Sequence, residues 1–325
     1  TDANLVLGRL NPEYFVGGAR RLDADRAARA VERVARPLGL AVEEAAMGIV
    51  DIVDAHMTDL IRKVTIERGS DPRRFVLYAF GGAGPLHVGG FGRGLRVREV
   101  VIPSFASEFS AFGIAGSDLI SVQELADPAT VPLDPARVND IYRELEDRAR
   151  ENLADNGVQE GDMRLHRYIK LRYRGQVHEV RTPVPREGPA GPGGGALDGE
   201  SMAAIVSRFE ALYEERYGKG AGYRKAGIQA ITYHVYGYGR ILRPILERLP
   251  PTGVDSDHAQ KGERRVYFSE TSGWRQTPIY DSEALRPGNR IEGPAVVEAP
   301  DTTIVVRPGQ RVEMDGYRNL VMTFG

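Results

Sequence analysis

The sequence predicts an α/β lobe over residues 1–160 and an α+β or β-rich domain over residues 161–325. The first observation is a buried apolar strand that breaks into glycines and a helix start, over residues 74–87. The second is a series of short strand-like runs separated by turn residues, from about residue 265 onward. A strand joined directly to a helix indicates an α/β layer, whereas consecutive short strands indicate a compact antiparallel unit.

Two helices are expected ahead of the central strand, after a loop and short turn over residues 1–18. The first spans Asp23 to Arg36, because Asp23 can cap its start and Pro37 follows its end. The second spans Val42 to Arg68, where apolar residues recur at three- and four-residue steps. This stripe is expected to face the core, and it comprises Val42, Ala46, Ile49, Val53, Met57, Leu60 and Val64.

The second helix also carries polar residues near its apolar stripe. Asp51, Asp54 and Asp59 are expected on the solvated face, with Asp54 or Asp59 as candidates for a position in a cleft. His56 lies beside the stripe, where a packed histidine with a local hydrogen bond is commoner than a ligand. We therefore expect His56 to be a core residue rather than part of a site.

The central stretch is Gly81-Gly82-Ala83-Gly84, which follows the apolar run Phe75–Phe80 and precedes Pro85. Glycines let the backbone approach a ligand closely, and Pro85 suits the first turn of a helix. A strand, a glycine turn and a helix N-terminus together form a geometry that binds phosphate. The alternative is a tight connection found in any α/β protein, since the stretch lacks both a Walker loop and a complete Gly-x-Gly-x-x-Gly fingerprint.

The helix expected after this stretch, Leu86 to Leu95, contains four further glycines. Each interior glycine costs about 1 kcal/mol relative to alanine. The helix therefore either packs unusually close to a neighbour or is loosely held. His87 is the titratable group beside the glycines, and it either donates to a phosphate oxygen or forms a local hydrogen bond.

Further elements are expected in order along the chain. Between the central stretch and residue 250 they are a strand Val97–Pro103, a helix Asp134–Asn156, a hairpin Leu165–Val184, a flexible loop Pro185–Gly199, a helix Ser201–Tyr217 and a strand Ile228–Tyr238. A polar linker follows. The tail strands are Arg265–Phe268, Gln276–Tyr280, Ala295–Glu298, Thr302–Val306, Gln310–Met314 and Asn319–Phe324.

Composition excludes several classes of function. The 325 residues include 43 Lys and Arg against 45 Asp and Glu, so a net charge of −2 gives no electrostatic case for binding nucleic acid or an anionic membrane. The chain has no cysteine, which excludes disulfides, thiolate metal sites and a cysteine nucleophile, and fits a cytoplasmic location. No apolar stretch reaches the roughly 18 residues of a membrane span.

Several segments resemble the hydantoinase A/5-oxoprolinase family, which includes the large subunits of acetone and acetophenone carboxylases. The most specific is Phe80–His87, which is similar to the family signature. The other similar segments, in the family's order, are Thr1–Leu10, Val101–Gly113, Arg172–Gln176 and Gly293–Glu298. The resemblance therefore covers nearly the whole chain.

The resemblance implies a fold and a cofactor. Members of this family resemble the actin/Hsp70/sugar-kinase superfamily, in which two lobes clamp ATP. Residues 1–160 would then be the second ATP-binding lobe, followed by the mostly β C-terminal domain. The N-terminal lobe would be missing from this chain, which would be the C-terminal half of a longer protein or a separate subunit. The Gly81-Gly82 turn would lie near the adenosine and α-phosphate.

Candidate site residues follow from the resemblance and from residue chemistry. Those expected to bind ATP are Gly81, Gly82, Ala83, Gly84, His87, Thr1, Asp2 and Glu108. Because carboxylate oxygens suit hard cations, Asp2 is also expected to hold Mg²⁺ or Mn²⁺. The alternatives are that Thr1 and Asp2 form a helix N-cap pair and that Glu108 is an exposed loop acid.

The function implied is that of a subunit, or C-terminal half, of an ATP-dependent enzyme. ATP would phosphorylate a carbonyl or enolate oxygen, after which a cyclic amide is hydrolysed or a ketone is carboxylated. A hydantoinase B-like subunit is the expected partner. The segment Ala106-Ser107-Glu108 is closer to the ketone carboxylases, but the sequence leaves hydrolysis and carboxylation both open.

Two other functions remain open. The chain could be a non-catalytic assembly subunit of such a complex, a reading favoured by the unusually glycine-rich helix after His87. It could also be an N-terminal nucleophile hydrolase, in which the Thr1 hydroxyl attacks and its own amine acts as the base.

Overall fold

The computed structural model describes residues 1–185, 195–271 and 273–325, within which the chain forms seven α-helices and thirteen β-strands. The helices are α1 (Asp2–Val6), α2 (Ala24–Leu38), α3 (Val42–Ile66), α4 (Gly84–Leu95), α5 (Phe109–Ala115), α6 (Pro135–Asp155) and α7 (Gly199–Tyr217). The strands are β1 (Val76–Tyr78), β2 (Glu99–Ile102), β3 (Leu119–Thr130), β4 (Met163–Tyr173), β5 (Val180–Pro183), β6 (Ile228–Gly239), β7 (Gln260–Phe268), β8 (Gly273–Asp281), β9 (Arg290–Glu292), β10 (Ala295–Glu298), β11 (Thr303–Val306), β12 (Gln310–Met314) and β13 (Leu320–Phe324). None of the described helices is both long and apolar enough to cross a membrane.

The chain divides into two compact units, and the division differs from the boundary expected at residue 160. Unit 1 comprises Thr1–Ile114 and Ile245–Gly325, and unit 2 comprises Ala115–Pro244. Strand pairing is the physical reason, because β13 from the tail pairs with β2, whereas β3 and β4 both pair with β6. The tail therefore folds with the first 114 residues.

Unit 1 contains two β-sheets that share a hydrophobic core. One sheet has the strand order β1-β2-β13-β12-β9, and the other has the order β11-β10-β8-β7. β1 and β2 are parallel, as are β8 and β10, and the remaining neighbours are antiparallel. Side chains of α4 such as Val88 and Phe91 pack in the same core as Val100 and Val306. The prediction of a mostly β region after residue 265 is confirmed.

The prediction for the first residues of unit 1 was wrong. Residues 2–6 form helix α1 rather than a loop, because Ala3 and Leu7 are buried against α2 and α3. The end of the family-like segment Val101–Gly113 lies in helix α5, whose Phe109 contacts Tyr78 and Phe80. In unit 2, residues 186–194 of the loop expected over Pro185–Gly199 lie outside the described residues, so that prediction is not tested.

The apolar stripe predicted for α3 does not coincide with the buried face of this helix. The buried residues are Ala45, Ala46, Met47, Val50, Asp54 and Thr58, whereas Val53, Leu60 and Val64 are exposed and His56 is also exposed. The predicted core stripe is therefore wrong from Val53 onward, and so is the core position of His56. Asp54, one of the two aspartates considered for a cleft, points inward.

The glycines of α4 allow α3 to pack unusually close to this helix. A Cβ added at Gly90 would lie 1.8 Å from Asp54 Oδ2, and one at Gly94 would lie 2.9 Å from Thr58 Oγ1. Both distances are shorter than a non-bonded contact permits. Of the two explanations offered by the sequence, close packing is therefore the correct one.

Unit 2 is an antiparallel sheet with two helices on one face. The strand order is β3-β6-β4-β5, and α6 and α7 share a core with the sheet. Tyr233 lies in this core and meets Tyr142 edge to face at 5.7 Å. Tyr236, from the other face of β6, meets Tyr168 edge to face at 5.3 Å, while the Arg181 guanidinium lies 5.0 Å from the Tyr168 ring centroid. These rings therefore pack against neighbouring side chains on both faces of the sheet.

His234 is the buried titratable group on β6. It is 3% exposed, and neither ring nitrogen has a hydrogen-bond partner among the described residues, although Nδ1 lies 3.4 Å from Glu124 Oε2. Burial, together with the positive charge of Lys170, lowers the pKa of His234 below its usual 6.5. Folding therefore favours the neutral form of this imidazole.

The packing of α3 against α4 predicts opposite effects for two alanine substitutions. Gly90→Ala is expected to lower the free energy of unfolding by about 1–3 kcal/mol, because its methyl group displaces the Asp54 carboxylate. Gly48→Ala, in the interior of α3, is the matched control because a Cβ there meets nothing within 4 Å. It should raise stability by roughly 0.5–1 kcal/mol. Urea denaturation of both variants tests this, and equal effects would contradict the close approach.

The buried His234 predicts a loss of stability on acidification. Below its usual pKa of 6.5 the imidazole of the unfolded chain takes up a proton that the folded chain does not yet bind. Stability from this residue is therefore complete above that pH and falls as the pH drops through the lower pKa of the folded state. His234→Gln should flatten the decrease in urea midpoint between about pH 7.5 and about pH 5.5. His178→Gln, at an exposed position, should leave it unchanged.

Candidate functional site

The glycine stretch lies where the sequence predicted, at the carboxyl end of β1 and directly before α4. Gly81 has a φ of 79° and donates its N–H to Ala106 O at 2.7 Å. Helix α4 begins at Gly84 with Pro85 in its first turn. The left-handed backbone conformation is therefore at Gly81 and not at Gly82.

The turn between β10 and β11 holds the glycine stretch in place. Thr302 Oγ1 donates to Gly82 O at 3.0 Å. Asp301 Oδ2 accepts from Ser107 N at 3.0 Å and from Ser107 Oγ at 2.7 Å. We call Ser107, Asp301 and Thr302 the clasp, because they join the turn to the segments before α4 and α5.

Two cavities flank the clasp. The loop cavity, of about 280 Å³, is lined by Gly82 and Ala83, by aromatic and apolar side chains such as Tyr14 and Phe15, and by Thr1. The second cavity, of about 520 Å³, is lined by residues that include Glu108. The backbone of the glycine stretch is thus open to a cavity large enough for part of a small molecule.

The loop cavity is acidic rather than basic. Glu298 and Asp301 line it, while no Lys or Arg does so within the described part of the chain. Glu298 is 1% exposed, and its Oε1 accepts from Arg264 Nη1 at 2.8 Å while Lys261 Nζ lies 3.0 Å from Oε2. The charge of Glu298 is therefore balanced by two cations that do not themselves line the cavity, whose other lining groups include aromatic rings, hydroxyls, backbone and the Asp301 carboxylate.

His87 points away from both cavities into a buried polar network. Its Nδ1 lies 2.9 Å from Asp54 Oδ1, and its Nε2 lies 3.2 Å from Asn4 Nδ2. Because a carboxylate only accepts, Nδ1 carries a proton and donates to Asp54. Arg307 Nη2 donates to the other oxygen of Asp54 at 2.7 Å. Both ring nitrogens of His87 are thus engaged within the protein.

Arg9 lies at the edge of the same network and is completely buried. Burial, and to a lesser degree the charge of Arg307, lowers the pKa of its guanidinium to about 10. Its Nη2 lies 3.3 Å from Met47 Sδ, and its Nε and Nη1 have no hydrogen-bond partner within the described residues. Neither Arg9 nor Arg307 lines the loop cavity.

The other predicted site residues lie in different places. Thr1 lines the loop cavity and Glu108 lines the second cavity. Asp2 is the exposed first residue of α1 and lines neither cavity. Within residues 1–185, 195–271 and 273–325, no group of three or more His, Cys, Asp or Glu residues is arranged to hold a metal ion. The metal role expected for Asp2 stays a prediction.

Sequence reasoning missed the residues that shape the site. Asp301 and Thr302 were not among the candidates, because nothing in the local sequence shows that their side chains reach Ser107 and Gly82, roughly 200 positions away. Asp54 had been considered for a cleft, and Val50, Asp54 and Thr58 do repeat at four-residue steps on the buried helical face. No sequence pattern identified Arg307 as part of the polar network.

Comparison with known proteins places the chain in a family. The family model described as Hydantoinase/oxoprolinase matches residues 1–123, and the model of its C-terminal domain matches residues 131–323. The acetone carboxylase beta subunit of Xanthobacter autotrophicus is 32% identical over 98% of this chain and 45% of its own length. The chain spans about half the length of the curated relatives it matches.

Two solved structures share the fold. The nucleotide-free structure of acetone carboxylase, from a study of ATP-dependent acetone carboxylation, has a TM-score of 0.83 at 30% identity and covers the whole chain and 46% of its own. The ATP-dependent caprolactamase of Pseudomonas jessenii has a TM-score of 0.72 at 31% identity with the same coverage. With family models matched across both units and a similar fold in these proteins, the chain belongs to the hydantoinase/oxoprolinase family.

Proposed function

We propose that this chain is part of an ATP-dependent enzyme that activates a carbonyl compound, and that it binds the nucleoside end of ATP in the loop cavity. Solved relatives are described as an enzyme of ATP-dependent acetone carboxylation and an ATP-dependent caprolactamase, which supports ATP as the cofactor. The observation that carries the proposal is the open backbone of Gly82 and Ala83 beside Tyr14 and Phe15.

The charges of the cavity decide which part of ATP it suits. No Lys or Arg among the described residues lines it, and Glu298 is already neutralised by Arg264 and Lys261. The cavity therefore offers a triphosphate no cationic partner and accepts an uncharged ring and sugar. The aromatic and apolar walls favour a planar base, and backbone groups of the glycine stretch are available to ribose or the first phosphate. This agrees with the place that the family resemblance gives the Gly81-Gly82 turn.

The phosphates would then meet their positive partners elsewhere. We propose that the N-terminal lobe expected from the resemblance supplies those groups, together with Mg²⁺ or Mn²⁺. When bound, ATP supplies a phosphoryl group that turns a carbonyl or enolate oxygen into a good leaving group. This chain's own part is to bind and orient the nucleoside so that the phosphates face the second lobe.

The substrate is a cyclic amide or a ketone, and a hydantoinase B-like subunit is the proposed partner. The relatives include both substrate classes, because one is named a caprolactamase and another an acetone carboxylase. Among the described residues that line the two cavities, we assign no side chain to one reaction rather than the other. We therefore propose the shared activation step and leave the second step to the partner.

Two alternative functions, a non-catalytic assembly subunit and an N-terminal nucleophile hydrolase, are less well supported. The glycine-rich α4 had favoured a non-catalytic assembly subunit, but Gly90 and Gly94 are required by close packing against α3 and do not indicate a degenerate helix. Thr1 as a nucleophile is also disfavoured, because Thr1 lies inside the segment matched by the family model. The ATP-dependent enzyme remains the function that the site supports best.

Gly82→Val tests the proposed ATP site in the assembled enzyme that contains this chain. A Cβ at this position meets only Asp301 O at 3.7 Å, so the variant should fold with little change in melting temperature. The isopropyl group would extend into the loop cavity and raise the dissociation constant for ATP at least about tenfold. Gly161→Val, at an exposed turn with nothing within 4 Å, is the control and should change neither quantity. Normal ATP binding by the Gly82 variant would contradict the proposal.

Asp301→Ala tests whether the clasp sets the shape of the loop cavity. The variant leaves the Ser107 N–H and hydroxyl without their acceptor, which costs about 1.5–3 kcal/mol for bonds to a charged group. ATP affinity should fall, and the Ser107 amide should exchange hydrogen faster. Asp134→Ala removes a comparable carboxylate that accepts from Ala136 N at 3.0 Å in unit 2, and should leave ATP affinity unchanged. Loss of stability without loss of affinity would give the clasp a purely structural role.

A further inference from the structure

β1 is an apolar strand at the open edge of the five-stranded sheet. It pairs with β2 on one side, and it is the first strand in the sheet order. Ala79 N donates to Val101 O at 2.9 Å. In a parallel strand alternate residues bond to the same neighbour, so the amides of Val76 and Tyr78 point to the open edge. Open edges in stable proteins are normally short, charged or covered.

The side chains at this edge are exposed although they are large and apolar. Phe75 is 47%, Tyr78 is 52% and Phe80 is 46% exposed, and the run from Phe75 to Phe80 contains no charged residue. Parallel strands are normally covered on both faces, and their sequences are correspondingly apolar. The composition of β1 therefore suits an interior strand, whereas its position in this chain is at an edge.

Large apolar side chains are also exposed on the outer face of α3. Leu60 is 59%, Val64 is 44% and Ile52 is 58% exposed, and the first two belong to the apolar stripe predicted for the helix. Helix α3 contacts residues 72–74, which lead directly into β1, so the helix lies close to the start of the strand. We call residues 75–80 together with Ile52, Leu60 and Val64 the open face.

We propose that the open face is the docking surface for the polypeptide that supplies the rest of the length of this chain's relatives. That polypeptide would add a strand beside β1 and place apolar side chains over the outer face of α3. We choose this occupant because the chain matches only about half of the length of its relatives. It covers 45% and 46% of two relatives and 46% of each solved structure. An uncharged face also calls for an apolar partner segment.

A second copy of this chain is the competing occupant. Two copies could pair β1 with β1, but the strand has three residues and a two-fold axis there would pair them antiparallel. Such a contact would leave the outer face of α3 largely uncovered. This proposal rests on the proposed function in one respect, which is that the assembly is taken to be an ATP-dependent enzyme. The open edge of β1 and the exposure of its side chains are observed in this chain itself.

Hydrogen exchange of the intact enzyme assembly, compared with this chain alone, tests the docking surface directly. The amides of Val76 and Tyr78 should exchange at least about 100-fold more slowly in the assembly, since they become bonded to a neighbouring strand. Equal exchange in both samples would overturn the proposal. Protection in the isolated chain that grows with its concentration would also overturn it, because a second copy would then be the occupant.

Val76→Pro separates strand addition from simple apolar contact. The substitution removes an outward N–H and no bond to β2, and Phe75 already has the extended ψ of 152° that suits a residue before proline. The isolated variant should melt close to wild type while assembly is lost. Leu60→Lys should weaken assembly, whereas Val177→Lys, at an 82% exposed position in unit 2, should not.

Assembly and ATP binding are measured separately, so the two proposals fail independently. An assembly that binds ATP but leaves the β1 amides unprotected would overturn the docking surface and keep the proposed function. An assembly with protected β1 amides and no ATP binding would overturn the proposed function and support the docking surface. Normal assembly by both Val76→Pro and Leu60→Lys would overturn the docking surface whatever the ATP result.

Discussion

The buried carboxylate of Asp54 is the constraint on which the rest of unit 1 depends. It is held between His87 and Arg307, at 2.9 Å and 2.7 Å, from two different elements. A buried charge is stable only when it is paired and hydrogen-bonded, so both partners are required. The carboxylate also needs space, and Gly90 provides it by lacking a Cβ. One buried carboxylate thus requires a glycine at position 90 of α4.

The same network explains why the tail of the chain folds with its beginning. Gln310 Oε1 accepts from Arg307 N, and Gln310 Nε2 donates to Gly89 O at 2.6 Å. These bonds join the turn between β11 and β12 to the backbone of α4. The clasp adds a second connection from the turn between β10 and β11 to Gly82. The position of the glycine stretch is therefore fixed by residues more than 200 positions later in the chain.

The sequence was sufficient for elements whose signals are local. Asp23 caps α2 by accepting from Arg26 N, as predicted, and β10 and β12 have their expected bounds. The sequence was insufficient where contacts with residues far along the chain determine which face of a helix is buried or which strands pair. The stripe of α3 appeared to be the buried face because sequence periodicity does not show which face has a neighbour. The unit boundary was missed for the same reason, since the pairing of β13 with β2 has no local signature.

The positions of the cationic side chains determine which part of a nucleotide the loop cavity can bind on the proposed function. Arg9 and Arg307 are buried around Asp54, while Arg264 and Lys261 lie on Glu298, so these four cations are already opposite carboxylates or inside the core. None of them lines the loop cavity. On the proposed function, a cavity arranged in this way binds a neutral aromatic group through shape and backbone contacts and leaves a polyphosphate without a cationic partner. The charge stabilisation that phosphoryl transfer needs therefore comes from outside this cavity.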